Sequence, residues 1–319
     1  MTSPLMQIED LSISFKIDDS WCRAVNGISF DILPNETLCI VGESGCGKSI
    51  TAMSLMKLLP DSARLGGKVM FDGHNMLSLK EHELEKVRGS RIAMIFQEPM
   101  TSLNPVLTIG EQIAEPLVLH KGMSWSAARK EARDLLDLVR IPDAQKRLGQ
   151  YPHELSGGMR QRVMIAIGLA CRPEILIADE PTTALDVTIQ AQVLALLEDI
   201  RKEQGLSIVM ITHDLGVVAN VADRVAVMYA GEMVETGSVE AIFDAPAHPY
   251  TQALLRTVPR ADVAYDLAPI SGQVPPIQAM PEGCRFAPRC PEEHRACRAT
   301  PKLSAGPHSV ACWAREGAA

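Results

Sequence analysis

The sequence predicts an α/β fold built around a largely parallel sheet. Three observations predict it. Apolar runs of strand length alternate with helix-patterned segments, one such run ends in a glycine-rich loop that opens a helix, and another ends in a pair of carboxylates. In chain order, Thr37–Val41 reads as a strand and Ser49–Leu59 as the helix after the glycine-rich loop. Arg91–Phe96 is a further strand candidate, and Ser126–Val139 is an amphipathic helix rich in Ala, Leu, Arg and Asp. Ile175–Ala178 and Ile208–Ile211 have the length and composition of buried parallel strands, with a helix over Ile189–Ile200 between them. Near Gly237 the character changes: prolines become frequent from Ala245, helical patterning weakens and four cysteines follow. The expected division is therefore 1–236 and 237–319, with a helical subdomain at about 98–170 inside the first part.

A chain of 319 residues with 46% hydrophobic residues can bury a core without staples. The formal net charge of −8 argues against a nucleic-acid partner, which usually requires a basic face. The segment Met1–Leu11 carries Glu9 and Asp10 and lacks the apolar core of a signal peptide. No apolar run approaches the roughly 20 residues that span a bilayer. Any attachment to a membrane is expected to be peripheral.

Gly42-Glu43-Ser44-Gly45-Cys46-Gly47-Lys48-Ser49 fits G-x-x-x-x-G-K-[ST]. In that pattern the glycines let backbone N–H groups turn inward around phosphate oxygens. Lys48 reaches the β- and γ-phosphates and Ser49 ligates Mg²⁺. The expected nucleotide-binding set is Gly42, Glu43, Ser44, Gly45, Cys46, Gly47, Lys48, Ser49 and Ile50. Downstream, the run Ile175-Leu176-Ile177-Ala178 ends in Asp179 and Glu180. Asp179 is placed to hold Mg²⁺ and Glu180 to polarise the attacking water. Such an acidic end on an apolar strand is common by itself; the phosphate loop upstream gives it weight.

Leu155-Ser156-Gly157-Gly158-Met159-Arg160-Gln161-Arg162 resembles the signature sequence of ABC ATPases. Ser156 and the N–H groups of Gly157 and Gly158, at a helix N-terminus, make a second anion site. In the resembled family this site faces the phosphate loop of a partner subunit. Gln97 looks like the glutamine that senses Mg²⁺ and the γ-phosphate, Ala184-Leu185-Asp186 like the loop that crosses the dimer interface, and His213 like the switch histidine. Phe15 resembles the aromatic that stacks on adenine, with Trp21 as a competitor. The segments Gln97–Pro105, Ala178–Thr188 and His248-Pro249-Tyr250-Thr251 narrow the resemblance to ATPase subunits of dipeptide and oligopeptide importers. That family also contains nickel-uptake members.

The resemblance runs from about Met6 to Trp313. It implies an ABC ATPase fold, with a parallel-sheet core, an antiparallel β subdomain, a helical subdomain and a cysteine-containing C-terminal extension. It implies ATP hydrolysis coupled to import at the cytoplasmic face of the inner membrane. The implied partners are a second related ATPase (heterodimer, or alternatively homodimer), two membrane-spanning permease subunits and, indirectly, an extracytoplasmic binding protein. A soluble ATPase acting on nucleic acid or ribosomes is a competing class. It is disfavoured by the single cassette and the acidic balance. An iron–sulfur redox protein is another, disfavoured by the complete ATPase motif set.

The last four cysteines are spaced Cys284-x5-Cys290-x6-Cys297-x14-Cys312. No C-x-x-C pair is present, and spacing alone leaves the metal open between a cluster, zinc and none. The resemblance implies a [4Fe–4S] cluster on these four residues. His294 and His308 could complete an alternative zinc set. The tail offers Phe286, Val310, Trp313 and little else to nucleate a core of its own, so a bound metal is expected to order it.

Overall fold

The computed structural model describes residues 3–183, 185–257 and 270–315; Ala184 therefore lies outside the described residues. The chain forms two compact units. One comprises the residues up to Ser78 with those from Ile211 onward, and the other is Leu79–Met210.

The first unit opens with β1 (Met6–Ile17) and β2 (Ser20–Ile32), an antiparallel pair. β3 (Thr37–Val41) is buried throughout, and α1 (Lys48–Leu55) follows it. β4 (Ala63–Phe71) and β5 (His74–Asn75) complete a four-stranded antiparallel sheet in the order β2-β1-β4-β5. Helix α1 stops well short of the expected Leu59. Lys57 adopts a left-handed φ of 51°. Its N–H donates to Ser54 O (3.0 Å) and that of Leu58 to Met53 O (2.9 Å), which closes the helix C-terminus with a residue that is not the usual glycine.

The second unit begins with α2 (Glu81–Leu84), β6 (Ile92–Ile95) and α3 (Pro99–Ser102). Four helices follow: α4 (Ile109–Lys121), α5 (Trp125–Leu138), α6 (Ala144–Arg147) and α7 (Gly157–Leu169). Helices α4, α5 and α7 pack on one another and bury Ile113, Leu117, Ala132, Leu136, Val163 and Ile165. Ser124 caps α5 by accepting from Ala127 N, which starts that helix one residue before the expected Ser126. β7 (Ile175–Asp179) pairs parallel with β6, and α8 (Val187–Gln204) is capped by Asp186 and stopped by Gly205.

After β8 (Ser207–Thr212) the chain re-enters the first unit through α9 (Leu215–Val221), β9 (Arg224–Tyr229) and β10 (Glu232–Ser238). α10 (Val239–Asp244), α11 (Pro249–Leu255) and β11 (Ser309–Val310) complete the chain. β3 runs parallel to β9, as a crossover connection requires. The strands β9, β10 and β11 pair antiparallel and form one edge of a sheet in which β3–β9 and β6–β7 are parallel. Ala230 and Gly231, both at positive φ, join β9 to β10, and two residues permit only a hairpin. The residue at which a domain boundary is expected, Gly237, lies within β10. Among the described residues, no helix is long and apolar enough to cross a membrane.

Candidate active site

In the first unit, Gly42–Ser49 connects β3 to α1. Gly42 has φ 155°, and a Cβ there would stand 2.1 Å from Met228 O, so no side chain fits. Gly47 (φ 105°) caps α1 in the left-handed region and packs against Met228 and Val25. Lys48 is buried, and its Nζ donates to Gly42 O (2.8 Å) and Glu43 O (3.0 Å). The ammonium thus sits against the loop's own carbonyls. The N–H of Glu43 donates to Tyr250 Oη (2.9 Å), and Gly231 N donates to Cys46 O (2.8 Å), so the loop is braced from β9–β10 and α11. Burial pushes the Cys46 thiol above its ordinary range, with Lys48 acting in the opposite direction. Ser49 and Ile50 lie in the first turn of α1.

Phe15 and Trp21 lie on opposite faces of the β1–β2 ribbon. Phe15 stands opposite Cys22 and Lys16 opposite Trp21, and neighbouring residues alternate faces. Phe15 shares its face with Ile13, whose cross-strand partner Val25 touches Gly47. Trp21 instead carries the Arg64 guanidinium at 3.5 Å from its ring centroid. His213 is exposed in the turn between β8 and α9. The next residue, Asp214, fixes that turn by accepting from Gly216 N and Val217 N.

In the second unit, Asp179 is buried at the end of β7, and Glu180 follows with a left-handed φ of 48°. Glu180 Oε2 accepts from Gln97 Nε2 (2.9 Å) and from Thr183 Oγ1 (2.8 Å). Two residues singled out from the sequence are therefore brought together, and Thr183 is added to them. Ser156 caps α7 by accepting from Met159 N (3.4 Å). Gly157 faces open space, whereas a Cβ on Gly158 would stand 2.8 Å from Ile189 Cγ2. Ser156, Gly157 and Gly158 line a cleft of about 540 Å³ with Arg162, Asp186 and Gln192. Arg162 is held by Val139 O and Gln192 Oε1, which makes it a strut of the cleft wall.

The tail is built into the first unit. Phe286 is buried with Tyr229 (ring centroids 5.1 Å apart), Tyr250 (5.4 Å) and His248 (5.8 Å). β11 extends β10, with Val310 opposite Glu235. The expectation of a tail with almost no core is thus corrected: its core is shared with β9 and α11. Sequence reasoning missed Tyr250 in this role, although the run His248-Pro249-Tyr250-Thr251 drew notice. Its hydrogen-bond partner Glu43 lies 207 residues away in the chain, and the rings it packs against, Tyr229 and Phe286, lie on separate elements.

No disulfide links Cys284, Cys290, Cys297 and Cys312. Burial raises the Cys284 thiol to about 11, with Cys297 adding to the shift. Burial also raises Cys290 and Cys312, each with a further contribution from Cys297. Cys297 is thus within electrostatic reach of the other three. Among the described residues, no group of three His, Cys, Asp or Glu could hold one metal ion. Of the histidines considered for zinc, His308 Nε2 is engaged by the buried Glu235 (2.6 Å), and His294 Nδ1 lies 3.5 Å from Cys297 Sγ.

The family described as ABC transporter matches residues 25–183, and the one described as the C-terminal region of oligopeptide/dipeptide transporters matches residues 234–297. The chain is 51% identical to the dipeptide transport ATP-binding protein DppD of Bacillus subtilis, over 98% of this chain and 95% of that protein. It is likewise 51% identical to the oligopeptide transport ATP-binding protein OppD of Escherichia coli, over 94% of this chain and 89% of that protein. Among solved structures, the dimeric, post-hydrolysis ATP-binding cassette MJ0796 bound to ADP and Pi superposes with a TM-score of 0.66 at 30% identity. That match covers 73% of this chain and 98% of the cassette.

Proposed function

The chain belongs to the ATP-binding subunits of ABC transporters, in the branch with the oligopeptide/dipeptide C-terminal region, and we propose that it hydrolyses ATP to power import of dipeptides or oligopeptides. The observation that carries the nucleotide half of this reading is Lys48, buried with its ammonium against the loop carbonyls of Gly42 and Glu43. Phosphate oxygens are better acceptors for an ammonium than those carbonyls, and the first-turn N–H groups of α1 add to the same anion site. The peptide half rests on the relatives' activity and on the C-terminal region shared with them.

Individual roles follow from chemistry. Phe15 stacks on the adenine, on the face that leads to Gly47. Glu180 accepts from the attacking water and orients it, a role for which its two present hydrogen bonds already aim the carboxylate. His213 donates to the γ-phosphate. Ser156 with the N–H groups of Gly157 and Gly158 receives the triphosphate bound by a partner ATPase. Bound Mg²⁺ would neutralise charge on the phosphate oxygens. Ser49, Asp179 and Gln97 suit it, because Mg²⁺ keeps several waters and needs only one or two protein oxygens besides phosphate. The assembly is a pair of ATPases on two permease subunits at the cytoplasmic face of the membrane, fed by a binding protein outside.

The four tail cysteines suit a [4Fe–4S] cluster better than one zinc ion. A cluster takes one thiolate per iron and so spreads its ligands, whereas zinc gathers them around a point. The electrostatic influence of Cys297 on all three others accords with four thiols in one neighbourhood. When bound, such a group cross-links the tail through Cys284, Cys290, Cys297 and Cys312 and has no part in phosphoryl transfer.

Co-expression with the permease subunits and anaerobic purification tests both halves. The complex reconstituted in liposomes is expected to take up labelled tripeptide only with ATP and binding protein, and Lys48→Ala to abolish uptake. The same preparation is expected to be brown with about four iron atoms per chain. ATPase activity indifferent to peptide and binding protein sinks the transport reading, and colourless protein with one equivalent of zinc sinks the cluster.

A further inference from the structure

The phosphate loop is held by a residue of the cysteine-bearing tail. Arg289, in the turn that presents Cys290, donates from Nη1 to Glu43 Oε2 (2.7 Å) and from Nη2 to Glu43 Oε1 (3.1 Å). This is a two-pronged fork onto the second residue of the loop. The Arg289 side chain is only 4% exposed, so the guanidinium is shielded from water, while the Glu43 carboxylate at 29% keeps partial access to solvent. Its remaining donors are occupied: Nε reaches Ser271 O (2.9 Å), Nη1 also reaches Tyr229 Oη (3.3 Å) and Nη2 Ile270 O (3.4 Å). The guanidinium is therefore fixed before it meets Glu43. The same loop residue is held at its backbone, where Glu43 N donates to Tyr250 Oη. Tyr250 is fully buried and packs against Phe286, three residues before Arg289.

Glu43 is thus gripped at its peptide and at its carboxylate, and its carbonyl accepts from Lys48. The carboxylate is drawn towards Arg289, so its charge is neutralised beside a loop that must receive a polyphosphate. The Glu43 N–H is already used by Tyr250 Oη, and the Cys46 N–H by the Glu43 carbonyl (3.3 Å).

We propose that Arg289 is a positioning residue for nucleotide binding. Through Glu43, with Tyr250 beside it, the tail clamps the phosphate loop in its phosphate-ready shape, so affinity for MgATP depends on the tail being folded. The inference rests on the nucleotide reading above and adds the tail to the binding machinery. A loop held in its bound shape loses less freedom on binding, which appears as affinity and not as chemistry.

The test is a double-mutant cycle on the full chain, with MgATP binding measured by calorimetry. Arg289→Ala and Glu43→Ala are each expected to weaken binding about tenfold, and the double variant no further, since both remove one contact. Arg289→Lys is expected to recover part of the loss, a point charge replacing a fork. Hydrogen exchange at residues 42–48 is expected to speed up in Arg289→Ala. Glu43→Ala carries the test if Arg289→Ala does not fold, because it leaves Arg289 its three other acceptors. Wild-type affinity in Glu43→Ala, or losses that multiply in the double variant, overturn the clamp alone. A wild-type chain that fails to bind MgATP overturns the nucleotide reading and this inference with it.

Discussion

Glu180 combines a left-handed backbone angle with two hydrogen bonds to its carboxylate, from Gln97 and Thr183. A non-glycine residue in that region is uncommon and costs conformational energy, and such angles gather at functional sites. Here the angle turns the chain sharply out of β7, so that Asp179 stays buried while Glu180 is partly accessible. Glu180→Gln preserves shape and the Thr183 bond but removes the charge that polarises water. It is expected to keep MgATP binding and lower turnover by roughly 10²–10⁴-fold. Single-turnover hydrolysis alongside equilibrium binding checks this, and near-wild-type turnover removes Glu180 from the role. Phe15 and Trp21 show how strand pairing separates like residues. Both are aromatic and six positions apart, yet cross-strand pairing assigns them to opposite faces.

Helix α11 shows how an element depends on one protonation state. His248 is its N-cap, and its Nδ1 accepts from Tyr250 N (3.0 Å), which requires an unprotonated nitrogen. Burial, with Arg315 nearby as a smaller cause, lowers His248 to about 4. The unfolded chain takes up this proton near pH 6.5 and the folded chain only near 4, so the unfolded state binds more protons in between. Stability is therefore full above about pH 6.5 and lost as pH falls towards 4, by up to about 3 kcal/mol. Glu235, which accepts from His248 N and His308, faces the same element. Thermal melts from pH 7.5 to 4.5 are expected to fall less steeply for His248→Asn, which keeps a capping acceptor that does not titrate. Equal slopes in both proteins contradict this account of the cap.

At the scale of the whole molecule, the signature residues Ser156, Gly157 and Gly158 line an open cleft in the second unit, while Lys48 and its loop belong to the first. If the cleft serves a partner's nucleotide, Ser156→Arg leaves MgATP binding by the isolated chain intact. It is expected to abolish hydrolysis in the assembled transporter by at least about a hundredfold, the scale of losing one transition-state contact. Unchanged transporter turnover excludes Ser156 from that interface. The sequence by itself determined the α/β class, the loop Gly42–Ser49, the acidic end of β7 and the existence of helices α5 and α8, because each rests on neighbours in the chain: apolar runs, helical spacing and turn glycines. The caps Ser124 and Asp186 start those two helices one and two residues before the stretch that spacing marks. It also determined family membership, since motif order survives without coordinates. It did not determine the end of α1, where Lys57 takes an angle usually given to glycine. Nor did it determine the antiparallel edge of β9, β10 and β11, or that Phe15 and Trp21 lie on opposite faces of one ribbon. Tertiary structure alone decided those, and it alone joined Arg289 to Glu43 and Tyr250 to the loop backbone. The physical reason is range: a salt bridge between residues 246 apart leaves no period, spacing or composition along the chain, and forms only once strands and helices are packed.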